Sequence, residues 1–449
     1  MLDSAYLVLL FIIPLIEIFR SKENMMDFLS IFNMYFILWY VFPAFLIAFD
    51  PESAISDSWI NIIGYTNKIQ TALAIYIGYF LVLIGFYSKS AQNFGKRIVV
   101  NARNNLIIFG YAIFLLLFSA ISIHIYGTAF GGVVNAITQA LAARSGVVET
   151  GSLGFFIRFL AAASFSSYLL GAFAFTQDIK TGKLLRILLF VCSIFIAVVA
   201  FLVRAGRFNV LYYFLGFYQI YLLVKRKIPW LFSVILIVSM VLFLFYGKNF
   251  FSALGAIPDG IDAVVDQFNK SAEASTDGEG FSFYRFMENF FYTVFSLDTA
   301  FNADYEIRWF VDLIYGFLSL VPDRLLGTES PETILADNTK YIIGSFDYAI
   351  PTGFLAFGIY SLWWPGLIIV CLSYGWLGGY LQSVMEKHIQ DIFWMPYFYT
   401  AVAQMWAMIQ TADPETFLQS QFILLVSTTL LILLGTKISV SRNKRQNNI

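Results

Sequence analysis

Long apolar runs recur along this 449-residue chain, and each is close to the length of a helix that crosses a bilayer. A membrane-spanning helix needs about 20 mostly apolar residues. Qualifying or nearly qualifying runs lie at about 5–20, 28–49, 69–88, 105–124, 154–175, 184–203, 207–224, 228–246, 354–384, 392–411 and 420–436. Lipid offers no partner to backbone N–H and C=O groups, so segments of this length satisfy themselves as helices. Charged residues make up only 13% of the chain and mean hydropathy is +0.73, against roughly 25% charged residues in a soluble domain. The predicted fold class is therefore an all-α polytopic membrane protein of about 11 transmembrane helices, within a range of about 11–14.

The division that follows is 1–246, with about eight spans; 247–352, one long hydrophilic loop; and 353–449, with about three spans and a short basic tail. The first run, Ala5–Phe19, has no basic residue before it and no small-residue cleavage site, so it reads as a retained span. Loops after alternate spans carry the basic residues: Arg20 and Lys22; Lys89, Lys96, Arg97 and Arg103; Lys180, Lys183 and Arg186; Lys225, Arg226 and Lys227; Lys387; and Lys437, Arg442, Lys444 and Arg445. That set holds 17 of the 28 Lys and Arg but only six of the 29 Asp and Glu. By the positive-inside rule these loops are cytoplasmic, which puts the N-terminus outside and the C-terminus inside. The 247–352 loop then lies on the outer side.

That loop is not linker-like. Phe281–Phe301 and Trp309–Val321 have the amphipathic pattern of interfacial helices or a re-entrant hairpin; only 270–280 has the composition of a flexible turn. Cys192 and Cys371 both fall inside apolar runs, so neither a disulfide nor a metal cluster is expected. A net charge of −1 gives no reason to expect nucleic acid. There is no phosphate-cradling glycine loop and no zinc-ligand spacing.

Seven arginines run against the positive-inside bias on the outer side: Arg144, Arg158, Arg204, Arg207, Arg285, Arg308 and Arg324. An arginine near membrane depth is costly without an anionic partner, and guanidinium pairs bidentately with phosphate oxygens. Pairing with Asp and Glu of the same loop, or snorkelling, would account for any one of them equally well. Arg204-Ala205-Gly206-Arg207 is the sharpest case: two cations three apart where two apolar runs meet, with Gly206 allowing a tight turn and no carboxylate nearby in sequence. The only histidines are His124, at a span end, and His388, on the basic side, so a carboxylate is the better candidate for a general base. Most carboxylates of the loop read as solvated charges or arginine partners. Asp347, just before Ile350-Pro351-Thr352-Gly353 where the loop re-enters the membrane, is the exception singled out. Tyr284, Tyr348 and Trp309 are candidates for sugar stacking.

From Arg144 to Gly379 the chain resembles the Wzy-type O-antigen and oligosaccharide repeat-unit polymerases. Ala205–Val210 (AGRFNV) is similar to that family's G-x-R-x-x-aliphatic start of a span. Ser319–Pro331 (SLVPDRLLGTESP) resembles its Pro-Arg-x-x-Trp-Pro-x-x-Pro stretch, with Asp323 intervening and the tryptophan and second proline absent. Ile350–Gly358 (IPTGFLAFG), followed by Trp364-Pro365-Gly366, resembles the return into the membrane, and Phe156–Leu160 (FIRFL) places Arg158 where the family has a basic residue. The resemblance implies a C-type membrane glycosyltransferase fold in the bacterial inner membrane, needing no metal or other cofactor. It would join undecaprenyl-pyrophosphate-linked oligosaccharides at the periplasmic face, with a chain-length regulator and a flippase as membrane partners. Arg207, Arg324 and Asp347 would be catalytic; Arg158, Arg204, Arg207, Arg285, Arg308, Tyr284 and Tyr348 would hold pyrophosphate and sugar. A flippase of the same lipid-linked sugars is the alternative, although the sequence shows no inverted repeat. The related O-antigen ligase is a second one; it uses a periplasmic-loop histidine, which the 247–352 loop lacks.

Overall fold

The computed structural model describes residues 2–56, 68–144, 148, 151–175, 182–274, 283–321, 327, 331–345 and 349–440. Helices occupy all eleven expected positions. They are α1 (Leu2–Phe19), α2 (Phe28–Phe49, with a π-helical turn at Ile37–Val41), α3 (Lys68–Phe86), α4 (Asn105–Thr128), α5 (Ala162–Phe175), α6 (Lys183–Val203), α7 (Arg207–Lys225) and α8 (Trp230–Ala253). In the large loop lie α9 (Ile261–Ala274), α10 (Phe283–Asn302), α11 (Asp312–Leu318) and α12 (Ile334–Ile343), followed by α13 (Gly353–Met385), α14 (Met395–Met408) and α15 (Pro414–Gly435). Among the described residues nine helices are long and apolar enough to cross a membrane, which makes this a polytopic helical membrane protein. The two others are α7, whose Tyr212, Tyr213, Tyr218, Gln219 and Tyr221 lower its hydropathy, and α14, only 14 residues long.

The structure departs from a purely helical fold at one end. Strand β1 (Ile98–Ala102) pairs antiparallel with β2 (Thr436–Val440), Val100 opposite Ile438. Val100 N–H donates to His388 Nε2 at 3.1 Å, Lys387 donates to the Lys96 and Ile98 carbonyls, and Asn24 donates to Glu386. Turns after α1, α3 and α13 and the C-terminal strand thus gather on one face, as their shared basic character predicted. We call this the basic face, and the opposite one the loop face.

The main packing seam joins α3 to α13. Backbone comes so close that a β-carbon on Gly375 would strike the Val82 carbonyl, and one on Gly379 the Phe86 carbonyl. Small residues four apart permit this approach, and dispersion between the closely spaced helices replaces the hydrophobic effect that lipid cannot supply.

The expected single span at 354–384 is in fact two segments. Leu362 (φ −159°, ψ 34°) and Trp363 (φ 54°, ψ −142°) leave the helical region, and Pro365 follows. Gly358 lies against Leu367, and both Leu355 and Cys371 reach the empty side of Gly78, at 2.6 and 3.5 Å from a notional β-carbon. Residues 358 and 367, and 355 and 371, therefore share a level, so Gly353–Ser361 is a re-entrant half-helix that folds back along the start of the crossing segment. At 1.5 Å per residue, Cys371 lies roughly 10 Å below Trp364, and the half-helix begins near that depth.

Irregular backbone at membrane depth persists only where protein satisfies it. Here Asn338 donates to the Ile350 carbonyl (2.9 Å), Ile350 N–H donates to Thr339 Oγ1 (2.9 Å) and Ser296 donates to the Pro351 carbonyl (3.2 Å). The Tyr40 hydroxyl lies against the backbone amides of Phe354 and Leu355 and donates to the Gln410 carbonyl at 2.7 Å.

The α10 segment also differs from expectation. It is not an interfacial helix: Phe290, Phe291, Val294, Phe295, Leu297, Ala300 and Phe301 are all buried. Its polar positions are satisfied inside the protein, Thr293 on the Trp39 carbonyl and Asn302 on Asp298, which lets an amphipathic helix serve as core. Segment 309–321, by contrast, keeps an uncovered apolar side: Trp309, Leu313, Ile314 and Phe317 are exposed while Asp312 and Gly316 face inward.

Candidate functional site

The loop-face junction between α6 and α7 turns on four residues. Ala205, not Gly206, takes the left-handed conformation (φ 46°), which is costly for a residue with a β-carbon. Gly206 has φ −96° and matters for space instead, since a β-carbon there would sit 2.6 Å from Asn209 Nδ2. The strained turn is held from outside the span pair: Arg144, at the end of the short helix Ala140–Arg144, donates from Nη1 to the Ala205 carbonyl at 2.8 Å.

Arg144 thereby stands close to Arg204. Burial, with Arg144 as a like charge, presses the Arg204 pKa down to about 10, and burial lowers that of Arg144. Tyr126 is the group that favours the Arg204 charge, and among the described residues Arg204 has no carboxylate partner. Arg207, three residues on, donates from Nη2 to Asn289 Oδ1 at 2.8 Å and lies over the Phe208 ring. Phe208 in turn packs edge-on against Phe290. The large-loop helix α10 is therefore bound to the start of α7.

Beside Arg204 a small, half-open cavity of about 60 Å³ runs between α5, α7, α14 and α15. Tyr168, Tyr212, Tyr213, Asn209, Gln404 and Gln421 give it polar walls, and Phe165, Phe201, Met405 and Leu424 apolar ones. Tyr168 donates to the Tyr213 carbonyl (2.9 Å), Gln404 to the Tyr212 carbonyl (2.7 Å) and Tyr213 to Ser167 Oγ (2.8 Å). Gly216 makes room for the Tyr168 hydroxyl, which a β-carbon would overlap. Gln421, 5% exposed, has an Oε1 with no partner among the described residues. Hydroxyls, amides and a cation with no carboxylate partner among the described residues make the lining chemically complementary to an anionic group with hydroxyls beside it.

The other arginines are used differently. Arg308 is clamped by Asp312 (2.6 and 2.8 Å) and Asp337 (2.6 Å) and also donates to the Glu332 carbonyl. Burial works against its charge, but Asp312 and Asp337 more than compensate and hold its pKa above the ordinary arginine value. This is same-loop carboxylate pairing, and it separates Arg308 from the Arg204 group. Its backbone N–H, with that of Trp309, donates to the Tyr360 and Ser361 carbonyls at the tip of the re-entrant hairpin. Arg158 donates to the Leu320 (2.8 Å) and Ser319 (3.2 Å) carbonyls and lies over the Phe155 ring, so it fastens the large loop to the entry of α5. Tyr284 lies beside Asp50 at the far end of α10, and Trp309 is 70% exposed. Arg324, Asp347 and Tyr348 lie outside the described residues, as does the side chain of Arg285.

Sequence reasoning about chemistry passed over Arg144, Asn209, Asn289 and the tyrosine and amide walls of the cavity. Arg144 was visible as an outer-side arginine, but nothing in the order of residues said that it reaches Ala205. Compared with known proteins, the chain matches no family model, no curated protein and no solved structure.

Proposed function

We propose that this protein is a metal-independent membrane glycosyltransferase that joins lipid-pyrophosphate-linked oligosaccharide units into a surface polysaccharide. The observation that carries the reading is Arg204, held without a carboxylate partner among the described residues, next to Arg144 and on a cavity walled by tyrosines and amides. A guanidinium kept charged at such a place is complementary to an anion that arrives with its own polar, hydroxylated body.

In the proposed reaction an acceptor hydroxyl of one unit attacks the anomeric carbon of another. The carbon–oxygen bond to phosphate breaks, and the pyrophosphate leaves with the bonding pair and the lipid. Arg204 and Arg207, with Arg144 behind them, stabilise the charge that develops on that leaving group. The acceptor's proton passes to a carboxylate, for which Asp347 is the candidate. In this reading all eleven helices at the expected positions span the bacterial inner membrane, with the loop face periplasmic and the basic face cytoplasmic.

A flippase for the same lipid-linked sugars is the second reading, favoured by the discontinuous α13, since broken helices frame binding sites in transporters. The deletion strain separates the two. One repeat unit on the lipid core means that polymerisation was lost, and no repeat unit means that delivery or ligation was lost. Within the polymerase reading, Arg204→Ala and Arg207→Ala are tested on a polysaccharide chain-length gel. Normal long chains at normal protein level would sink it.

A further inference from the structure

Among the described residues, a second concentration of cations without carboxylate partners lies on the basic face. The short helix Lys89–Arg97 and strand β1 follow α3, and β2 follows α15. Stretches 87–108 and 436–440 contain no Asp or Glu at all. They carry Lys89, Lys96, Arg97, Arg103 and Lys437, all exposed, and among the described residues none of these has a carboxylate partner. Elsewhere on the same face Arg20 and Lys22 are neutralised by Glu17 and Asp27, so the bare cations are a local feature and not a property of every loop there.

The patch is built directly onto the ends of the apolar helices. Thr436 starts β2 immediately after Gly435 ends α15, and α4 begins at Asn105, two residues after Arg103. Arg103 N–H donates to the Gly435 carbonyl at 2.8 Å, locking the sheet to the span end. Gly95 seats the short helix on α13 at Tyr380 and Ser383. Aromatic side chains of the kind that favour the headgroup layer surround it: Trp376 donates to Ser90 and stacks on Tyr380, and Tyr87 is 44% exposed. Phe94 projects from the helix, 54% exposed, with the Arg97 guanidinium over its ring at 5.7 Å.

We propose that this sheet-and-helix platform is a binding site for anionic phospholipid headgroups, with Lys96, Arg97 and Lys437 contacting phosphate and Phe94 inserted among the acyl-chain ends. Charge complementarity and continuity with the lipid-facing spans single out that occupant. Each basic residue held at an anionic membrane surface adds to the attraction, and several together discriminate anionic from zwitterionic lipid. The site is independent of what happens at the loop-face cavity.

The test uses the full chain purified in detergent and in nanodiscs containing mixed phosphatidylglycerol and phosphatidylethanolamine. Wild type is expected to retain phosphatidylglycerol in preference to phosphatidylethanolamine by native mass spectrometry. The triple variant Lys96→Gln, Arg97→Gln, Lys437→Gln is expected to lose that preference by roughly tenfold or more. A control with the same charge change on the loop face, Lys68→Gln, Lys248→Gln, Lys270→Gln, is expected to keep it. Equal retention by the two triple variants overturns the proposal. So does displacement of the anionic lipid from wild type by a short oligonucleotide at low micromolar concentration, which would assign the patch to nucleic acid. Should the first triple variant fail to accumulate, Phe94→Ala alone is expected to weaken phosphatidylglycerol retention, and unchanged retention again overturns it.

Discussion

Gly366 rests on the carbonyl oxygen of Gly358, with no room for a β-carbon between them. Eight residues apart, they would be on different turns of an unbroken helix, so their contact defines the hairpin. Gly366→Val is expected to destabilise the protein by about 1–3 kcal/mol or more. Thermal unfolding in detergent reads this directly. An unchanged melting temperature would mean that the half-helix does not lie where we place it.

Arg308 and Arg204 should respond oppositely to neutralisation. Arg308→Gln strands Asp312, whose side chain is 2% exposed, and breaking a buried pair from one side costs about 3–5 kcal/mol. The double variant Arg308→Gln, Asp312→Asn is expected to recover part of that loss. Arg204→Gln orphans no described carboxylate, so stability should hold or rise. Chain elongation should instead fall by about 10²–10³, the scale for losing one group that stabilises a developing anion. Stability and chain-length profiles of both variants check this, and a swap of the two phenotypes would take the site away from the α6–α7 junction.

Asp413 gives a pH signature. It caps α15 by accepting from Thr416 N–H at 2.8 Å and Oγ1 at 2.9 Å, but burial outweighs these donors and raises its pKa from 3.8 to about 6. Between those values the folded state holds a proton that the unfolded state has lost. The Asp413 contribution to stability is therefore full below about pH 4 and declines as pH rises through about 6. Asp413→Asn, which retains a good cap, should remove that decline and stabilise the protein at pH 7 by an amount on the order of 2 kcal/mol. Unfolding measured in detergent between pH 4 and 8 decides it; parallel curves for the two proteins would refute the assignment.

The positions of the spans were readable because lipid leaves the backbone one economical solution, and the eleven apolar runs all became helices. The hairpin was hidden by the same signal, since both of its arms are apolar and together they read as one run. Its length was the clue: 31 residues of helix would reach about 46 Å, against a hydrocarbon core of about 30 Å, with Trp363-Trp364-Pro365-Gly366 at the break. Helix α10 was misread for a different reason. Periodicity reports that one side is apolar, but it does not say whether lipid or protein will cover it.

The arginines show the limit of reasoning from residue type. Seven looked alike in sequence, yet Arg308 meets carboxylates, Arg158 meets carbonyls, and Arg204 is left with Arg144 beside it. Arg308 finds Asp312 only four residues on, but the partners of Arg144 and Arg158 come from segments about 60 to 160 residues away, as the Arg144–Ala205 and Arg158–Leu320 bonds illustrate. For Arg144 and Arg158 no local pattern carries that information, whereas the i,i+4 spacing of Arg308 and Asp312 does.

The half-helix Gly353–Ser361 returns to the face from which its chain entered. It therefore adds nothing to the parity of crossings, and reporter fusions at the two termini would give the same pair of sides with or without it. A sidedness map made by such fusions would score residues 353–385 as one passage. It would overlook a segment of backbone that lies within the bilayer's thickness and never reaches the other side.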